Sequence, residues 1–593
     1  MKIFITELKR RKVTQSVLAY AVLGWLLIQV GIALETALNL PSSTDRWIII
    51  IVVAGLPLAI VLSWFYNFSS KGIIRTKDLP DESIEAQRVL PKIEYRTPAP
   101  KKSIAILPFK NLDEGDEQSF LGNGVAQEIL NALVKVKPLK VAGRISSFSL
   151  EDRNLPISEI GKMLNVSYIL EGTVRKQDNK ARITAELTQV EDGFHVWTET
   201  FDGDLTDIFK LQDEIAKSIL EELEIILDVK QLRLVATMTN SLEAYEAFIK
   251  GRKFVQIQDG DGVLAEAISQ LGKAVRIDPE FALAWAWLAM ANFYLPEHNK
   301  VPNWKEYLEA GKTAAKMSYK LDPELSDANL ALSYERLLEL DIEGQFEARK
   351  RAHLLDPSSI PAMHEYGMAY GLMGLIKEGY PYIRDSNERE PFSASFSGST
   401  GIFQWILGKD QMAYKSLDCT IDLGFVLCAI SKSQMITSKG DPVRAHKYLL
   451  ETLKKHKEDV PPEFKSRLVQ KIFSLAINKN VRWAKKMIGK SLLKENNSLK
   501  KYSGLSLKSG ILSLGEAKVY FDSVLEQPNT YLSGALFNLW TPTETAKSVR
   551  THPEFPNFAQ ELGLVKLWQK HGWPPQIQPI PGSDGSNLQF ICS

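Results

Sequence analysis

Cysteine is nearly absent from this chain: Cys419, Cys428 and Cys592 are all that 593 residues contain, and no CxxC pair occurs. That excludes a disulfide framework and a cysteine zinc site, and it fits a reducing compartment. Histidine is scarce too. The eight histidines (195, 298, 353, 364, 446, 456, 552 and 571) never recur at metal-ligand spacing, so no metal is expected. Excess charge is missing: 72 basic residues balance 71 acidic ones, which gives no reason to expect a nucleic-acid partner. No GxxxxGKS or GxxxxGKT, HExxH or GxSxG motif and no kinase signature set is present. Catalytic residues and cofactors are therefore not expected, and the chain reads as a non-enzyme.

Weaker motifs resolve into bland readings. Gly122-Asn123-Gly124 precedes a helical pattern, but Gln127 stands where a dinucleotide fingerprint needs its third glycine, so a tight turn or helix cap is expected. His195 lies among aromatics in a strand-like run and is expected to be a satisfied packing residue. Asp113, Glu114, Asp116 and Glu117 lack the spacing and central glycine of a calcium loop and read as a solvated loop.

What the chain does have begins with two uncharged runs, Val13–Leu34 and Trp47–Ser70. At 1.5 Å per residue the first spans roughly 33 Å, enough for a hydrocarbon core of about 30 Å. Lys2, Lys9, Arg10, Arg11 and Lys12 precede the first run, and Lys71, Arg75 and Lys77 follow the second. By the positive-inside rule this predicts a two-span anchor (residues 1–70), with bilayer contact through 13–34 and 47–66. The expected location is a bacterial inner membrane, with the amino terminus and the soluble domains cytoplasmic. A proline-rich linker occupies 71–101.

Beyond the linker the pattern alternates. SIAILPF (103–109) predicts a buried strand, 121–136 a helix and LKVAGR (139–144) a second strand. Residues 156–165 predict another helix, three strands follow at 167–176, 181–190 and 193–201, and a helix from about 207 to 226 closes the unit. The order implies an α/β domain with one mixed sheet over 102–230.

Asp278-Pro279, Asp322-Pro323, Asp356-Pro357 and Glu390-Pro391 recur at spacings of 44, 34 and 34 residues. Thirty-four is the tetratricopeptide period, with proline ending each helix pair, and the longer interval holds an insertion, PEHNKVPNWK. The register places Gly251, Ala267, Ala274, Trp285, Leu288, Ala289, Gly367 and Tyr370 at repeat-packing positions. It also sets Arg336 and Arg349 where apolar residues are usual. Four to six pairs over 240–480 would form an all-α solenoid with a concave groove. Residues 481–593 read as a helical region with a loose tail.

The blocks SIAILPF, FLGNGVAQEIL, VAGRISSF, ISEIGKMLNVSYILEGTVR, ITAEL and HVWTETFDGDLTDIFKLQDEIA together resemble the TolB amino-terminal-like domain of bacterial signalling proteins. That module often precedes tetratricopeptide repeats, so the resemblance implies a signalling or assembly context without implying a reaction. The expected function is a non-catalytic, membrane-tethered scaffold that binds a protein partner in the repeat groove. The alternative is a membrane-bound sensor whose α/β domain binds a small ligand.

Overall fold

The computed structural model describes residues 52, 66–69, 72–75, 91, 98–112, 119–136, 138–151, 153, 155–177, 180–204, 208–223, 239, 241–257, 263–298, 303–457, 460, 517–526, 536–580 and 590–592. The chain divides into two compact units, one of Met1–Glu85 with Gln258–Val263, the other of Ala86–Ile257 with Leu264–Ser593.

In the first unit, β1 (Tyr66–Ser69) pairs antiparallel with β2 (Gly72–Arg75), Tyr66 opposite Arg75. This corrects the expected anchor. Strand stands where the second span was to end, and among the described residues no helix is long and apolar enough to cross a membrane. Val52 within the second run is helical, and the other residues of 13–34 and 47–65 lie outside the described residues. Apolar length alone does not separate a span from other buried segments, and Tyr66 and Phe68 alternate with Asn67 and Ser69 in β fashion. The transmembrane fold class, the bilayer contact and the inner-membrane location are not supported.

The second unit starts with a mixed sheet. Its strands are β3 (Ser103–Ile106), β4 (Lys110–Asn111), β5 (Lys140–Val141), β6 (Tyr168–Gln177), β7 (Lys180–Gln189) and β8 (His195–Asp204). The spatial order is β5-β3-β6-β7-β8, with β4 also on β6. β3 runs parallel to β5 and β6, while β6, β7 and β8 form an antiparallel meander. The period-2 alternation of SIAI feeds two cores at once. Ile104 and Ile106 lie in the core shared with α1 (Ser119–Val134) and α4 (Ile208–Glu222). Ala105 and Leu107 belong to a smaller core with Leu150 and with Ile160 and Leu164 of α3 (Ile157–Leu164). Between β5 and α3 sits a short helix, α2 (Arg144–Phe148).

A helical repeat-like region follows. Its pairs among the described residues are α5/α6 (Leu242–Ile257, Val263–Ile277), α7/α8 (Ala282–His298, Trp304–Leu321) and α9/α10 (Ser326–Leu338, Ile342–Leu355). They continue as α11/α12 (Ile360–Leu372, Ile376–Arg389), α13/α14 (Ala394–Ile406, Asp410–Asp422) and α15/α16 (Cys428–Ser438, Pro442–Lys455). From Ser326 onward the first helices start every 34 residues. The turns fall at the Asp-Pro and Glu-Pro pairs, where proline cannot continue a helix.

Two arginines that break the apolar register are accommodated differently. Arg349, 1% exposed, sits 2.7 Å from Glu365 in an ion pair and faces the Tyr334 ring at 5.7 Å. Burial opposes ionisation of Glu365, but Arg349 with His364 and Tyr334 overcomes it and holds the carboxyl at about 2. Arg336 stays at the surface beside Glu335 and Asp341.

The carboxyl-terminal segment packs onto the array. Trp540 and Trp568 donate their indole N–H groups to the carbonyls of Leu372 and Met373 at 2.9 and 2.8 Å. Trp568 belongs to α20 (Leu564–His571), which follows α17 (Ala517–Glu526), α18 (Glu544–Arg550) and α19 (Phe555–Glu561). The stretch expected to be loose opens in β9 (Ile577–Pro579), paired antiparallel with β10 (Phe590–Cys592).

At Gly367 a Cβ would lie 2.9 Å from Ile383 Cγ1 and 3.1 Å from the Gly379 carbonyl. Gly367→Leu should therefore overpack α11 against α12 and cost about 1–3 kcal/mol. An unchanged denaturation midpoint for that variant would contradict the packing described here.

Candidate functional site

The polar centre of the second unit lies where the α/β domain meets the array. Helix α1 carries Gly122-Asn123-Gly124 inside its first turns, so these residues form neither a turn nor a phosphate loop. Their smallness serves close approach. A Cβ at Gly122 would fall 2.1 Å from the Phe109 carbonyl oxygen, and one at Gly124 would lie 3.2 Å from Ile249 on α5. The contact is otherwise apolar: Val125 and Ile129 share one core with Tyr245, Phe248 and Phe281.

One turn further along α1, Glu128 is fully covered and meets Arg252 of α5 at 2.9 Å. Arg252 also lies over the Phe248 ring at 4.8 Å. In water such a pair contributes little, but with both partners buried each charge depends on the other for compensation. A second strand of contacts reaches outward: Lys176 of β6 pairs with Glu246 of α5 at 2.9 Å.

The same domain touches the array again after its fourth pair. Glu390, 4% exposed, accepts the backbone N–H of Ile145 at 3.0 Å and of Ser146 at 2.7 Å, one on each carboxylate oxygen. Gly143 donates its N–H to the Arg389 carbonyl at 2.7 Å, and the Phe392 N–H reaches the Ser146 hydroxyl at 3.0 Å. The Phe392 ring completes the smaller core beside Ala105, Leu107 and Ala142. Glycine at 143 leaves room for this carboxylate: a Cβ there would fall 2.1 Å from the Glu390 carboxyl carbon and displace it.

Arg144 links the two contacts. Burial first, and the neighbouring Arg252 charge second, lower its pKa to about 9, while Glu390 and Glu151 pull it the other way. Arg252 in turn lowers the pKa of Asp327 on α9, although burial leaves that carboxyl raised to about 6. Helices packed at 8–10 Å spacing in a straight stack would leave the first pair and the turn after the fourth roughly 30 Å apart. One arginine side chain feels charges from both places. The α/β domain thus contacts the array at both places.

The residues singled out from the sequence are placed differently. Gly251 lies on α5, where a Cβ would be 2.6 Å from Leu271 Cγ, and Ala267 and Ala274 are fully buried on α6. Trp285, half-buried, donates its indole N–H to the Pro279 carbonyl at 2.9 Å; Leu288 is half-buried and Ala289 fully buried on the same helix. Gly367 and Tyr370 share α11, and the Tyr370 hydroxyl is 3.0 Å from that of Tyr366. These positions are spread along the array and do not converge. His195 is exposed on the edge strand β8, its Nδ1 3.1 Å from the Thr188 hydroxyl, rather than packed in a core. The acidic cluster Asp113–Glu117 falls outside the described residues. No sequence pattern marks Glu128, Arg144 or Arg252, and Glu390 sits in a Glu-Pro slot that the repeat period assigns to turn chemistry.

Against this geometry, two comparisons bear on function. Residues 100–218, the α/β domain, match the HilA/YgeH-like transcriptional regulator second domain. A protein named "Putative adenylate cyclase 3" from Rhizobium meliloti (strain 1021) is 34% identical over 191 residues, 32% of each chain. This chain therefore spans about a third of the length of that relative. Both findings point to signalling or regulation. They also correct two expectations. The exclusion of nucleic acid does not stand against a family described as transcriptional regulators, and the non-enzyme reading does not stand against a relative so named.

Replacing Arg252 by alanine should leave the Glu128 carboxylate buried without its partner, at a cost of about 3–5 kcal/mol. Adding Glu128→Gln to that variant should recover part of the loss. Equal midpoints for Arg252→Ala and the unaltered protein in urea would refute the pairing.

Burial pushes the Glu390 carboxyl up to about 7 from 4.5, against the opposing pull of the Ser146 and Ile145 amides and of Arg144. A carboxyl whose folded pKa is raised contributes its stability fully below the unfolded value and loses it as pH rises through the folded one. Between pH 5 and pH 8 the contact at Glu390 should loosen. Amide exchange at Ile145 and Ser146, corrected for intrinsic rates, should accelerate over that interval, and Glu390→Gln should abolish this pH dependence. Protection constant from pH 5 to pH 8 in the unaltered protein would contradict the assignment.

Proposed function

We propose that this protein is a signalling or transcriptional regulator in which the α/β domain is the responding element and the repeat array is the frame that reads its state. The observation that carries the reading is the double grip. One domain is held at Arg252, in the first pair, and at Glu390, after the fourth. A rearrangement in the α/β domain cannot leave the stacking of the first four pairs untouched when both places are fixed to it.

The TolB amino-terminal-like and tetratricopeptide resemblances support the same division of labour over 102–230 and 240–480. In this reading the array's first partner is the α/β domain of its own chain, which it contacts at α5 and at the turn after the fourth pair. The loops at the carboxyl ends of β3 and β5 are where open α/β sheets place ligand contacts. Here that end carries Gly143–Phe148, the segment that Glu390 engages. The responding end of the domain and the reading contact of the array are therefore the same place.

The test is genetic and biochemical together. In the native host, deletion of the gene should alter the transcript profile or the cyclic AMP level, and chromosomal Glu390→Ala should alter the same outputs with protein abundance unchanged. If both strains match the parent in transcripts and cyclic AMP, the regulatory reading is wrong.

A further inference from the structure

We propose that the contact between Gly143–Phe148 and the Arg389–Phe392 turn is a releasable clasp, and that its closure holds the carboxyl end of the α/β domain's parallel strands covered. The proposal rests on the regulatory reading above and adds to it the part that moves.

The two grips on the α/β domain differ in kind. At α1 and α5 the join is an extended apolar core, with Val125, Ile129, Tyr245, Phe248 and Ile249 in a single cluster around the buried Glu128–Arg252 pair. Such a join separates only when the fold does. At Glu390 the join is made of two amide hydrogen bonds to one carboxylate, one hydroxyl, one carbonyl and two apolar side chains of the array, the buried Phe392 ring and the half-buried Leu423. Contacts of that size and polarity are typical of domain interfaces that open.

The clasp is also imperfectly satisfied when closed. The Arg144 Nε and the buried Ser147 hydroxyl have no hydrogen-bond partner among the described residues. Arg144 is set between an opposite charge, Glu390, and a like charge, Arg252. Glu390 itself is a carboxylate withdrawn from water, with neutral amides as its nearest partners. Unpaired buried polar atoms occur on α1 too, at Asn123 and Gln127, so what sets the clasp apart is a carboxylate and an arginine buried in a join with few apolar contacts, a conflict that disfavours the closed state. Opening would rehydrate Glu390, Arg144 and Ser147 together while the α1–α5 core stays intact. It would uncover the ends of β3 and β5.

Hydrogen–deuterium exchange of the full chain, read peptide by peptide, tests this. Two variants break the clasp from opposite sides: Glu390→Ala removes the acceptor, and Gly143→Val drives a side chain into it. In both, exchange within 143–150 and 389–393 should rise at least tenfold, while 120–134 and 242–256 keep the protection of the unaltered protein. A rise of the same size in all four segments would show that the contact is an inseparable part of the fold and would overturn the clasp. Unchanged exchange at 143–150 in both variants would overturn it as well. These outcomes are independent of transcripts or cyclic AMP, so the clasp and the regulatory reading can fail separately.

Discussion

A carboxylate taken out of water must be met where it lies, and Glu390 is met, only in part, by the backbone of a different domain, 245 residues away in sequence. Much of the second unit follows from meeting that demand. Gly143 leaves room for the Glu390 carboxylate, α2 must begin where its first amides face the turn, and the turn after the fourth pair must reach the domain that the first pair already holds. Glu128 and Arg252 impose the complementary condition at the other end. With both conditions met, the stacking of the first four pairs and the position of the α/β domain are no longer independent variables.

That dependence gives a physical meaning to the class of protein indicated by the comparisons. A regulator needs two elements whose states are coupled, and coupling requires differential contacts in each state. The α/β domain supplies one element, similar to a domain of HilA/YgeH-like transcriptional regulators. The repeat array supplies the other. Stacked helix pairs deform by small rotations at each junction, so a change at one contact is shared along the stack.

Local patterns carried much of the architecture into view, because they depend on neighbours in sequence. The short apolar run SIAILPF and the alternation in ARITAEL placed strands, and the 34-residue recurrence of Asp-Pro placed the helix pairs. The candidate site obeys no such rule. Glu390 occupies a slot that the repeat reading assigned to turn chemistry, and nothing near it in sequence reports that Ile145 and Ser146 will meet it. Arg349 looked like a defect in the third repeat because its partner, Glu365, lies on the following helix. Gly122 and Gly124 suggested a turn because glycine marks turns and close approach alike, and only the packing against Phe109 and Ile249 decides between them. The apolar run ending at Ser70 misled for a related reason: hydropathy measures the wish to leave water and not the surface that will receive the residues.

The central claim is that one α/β domain is held at the first pair and after the fourth in the same molecule. A spin-label distance between Lys162 on α3 and Ser395 on α13, both exposed, measures the second of these holds directly. A single narrow, short distance distribution is predicted for the unaltered protein, broadening to longer distances in Glu390→Ala. A broad distribution already present in the unaltered protein, indifferent to Glu390→Ala, would contradict the account.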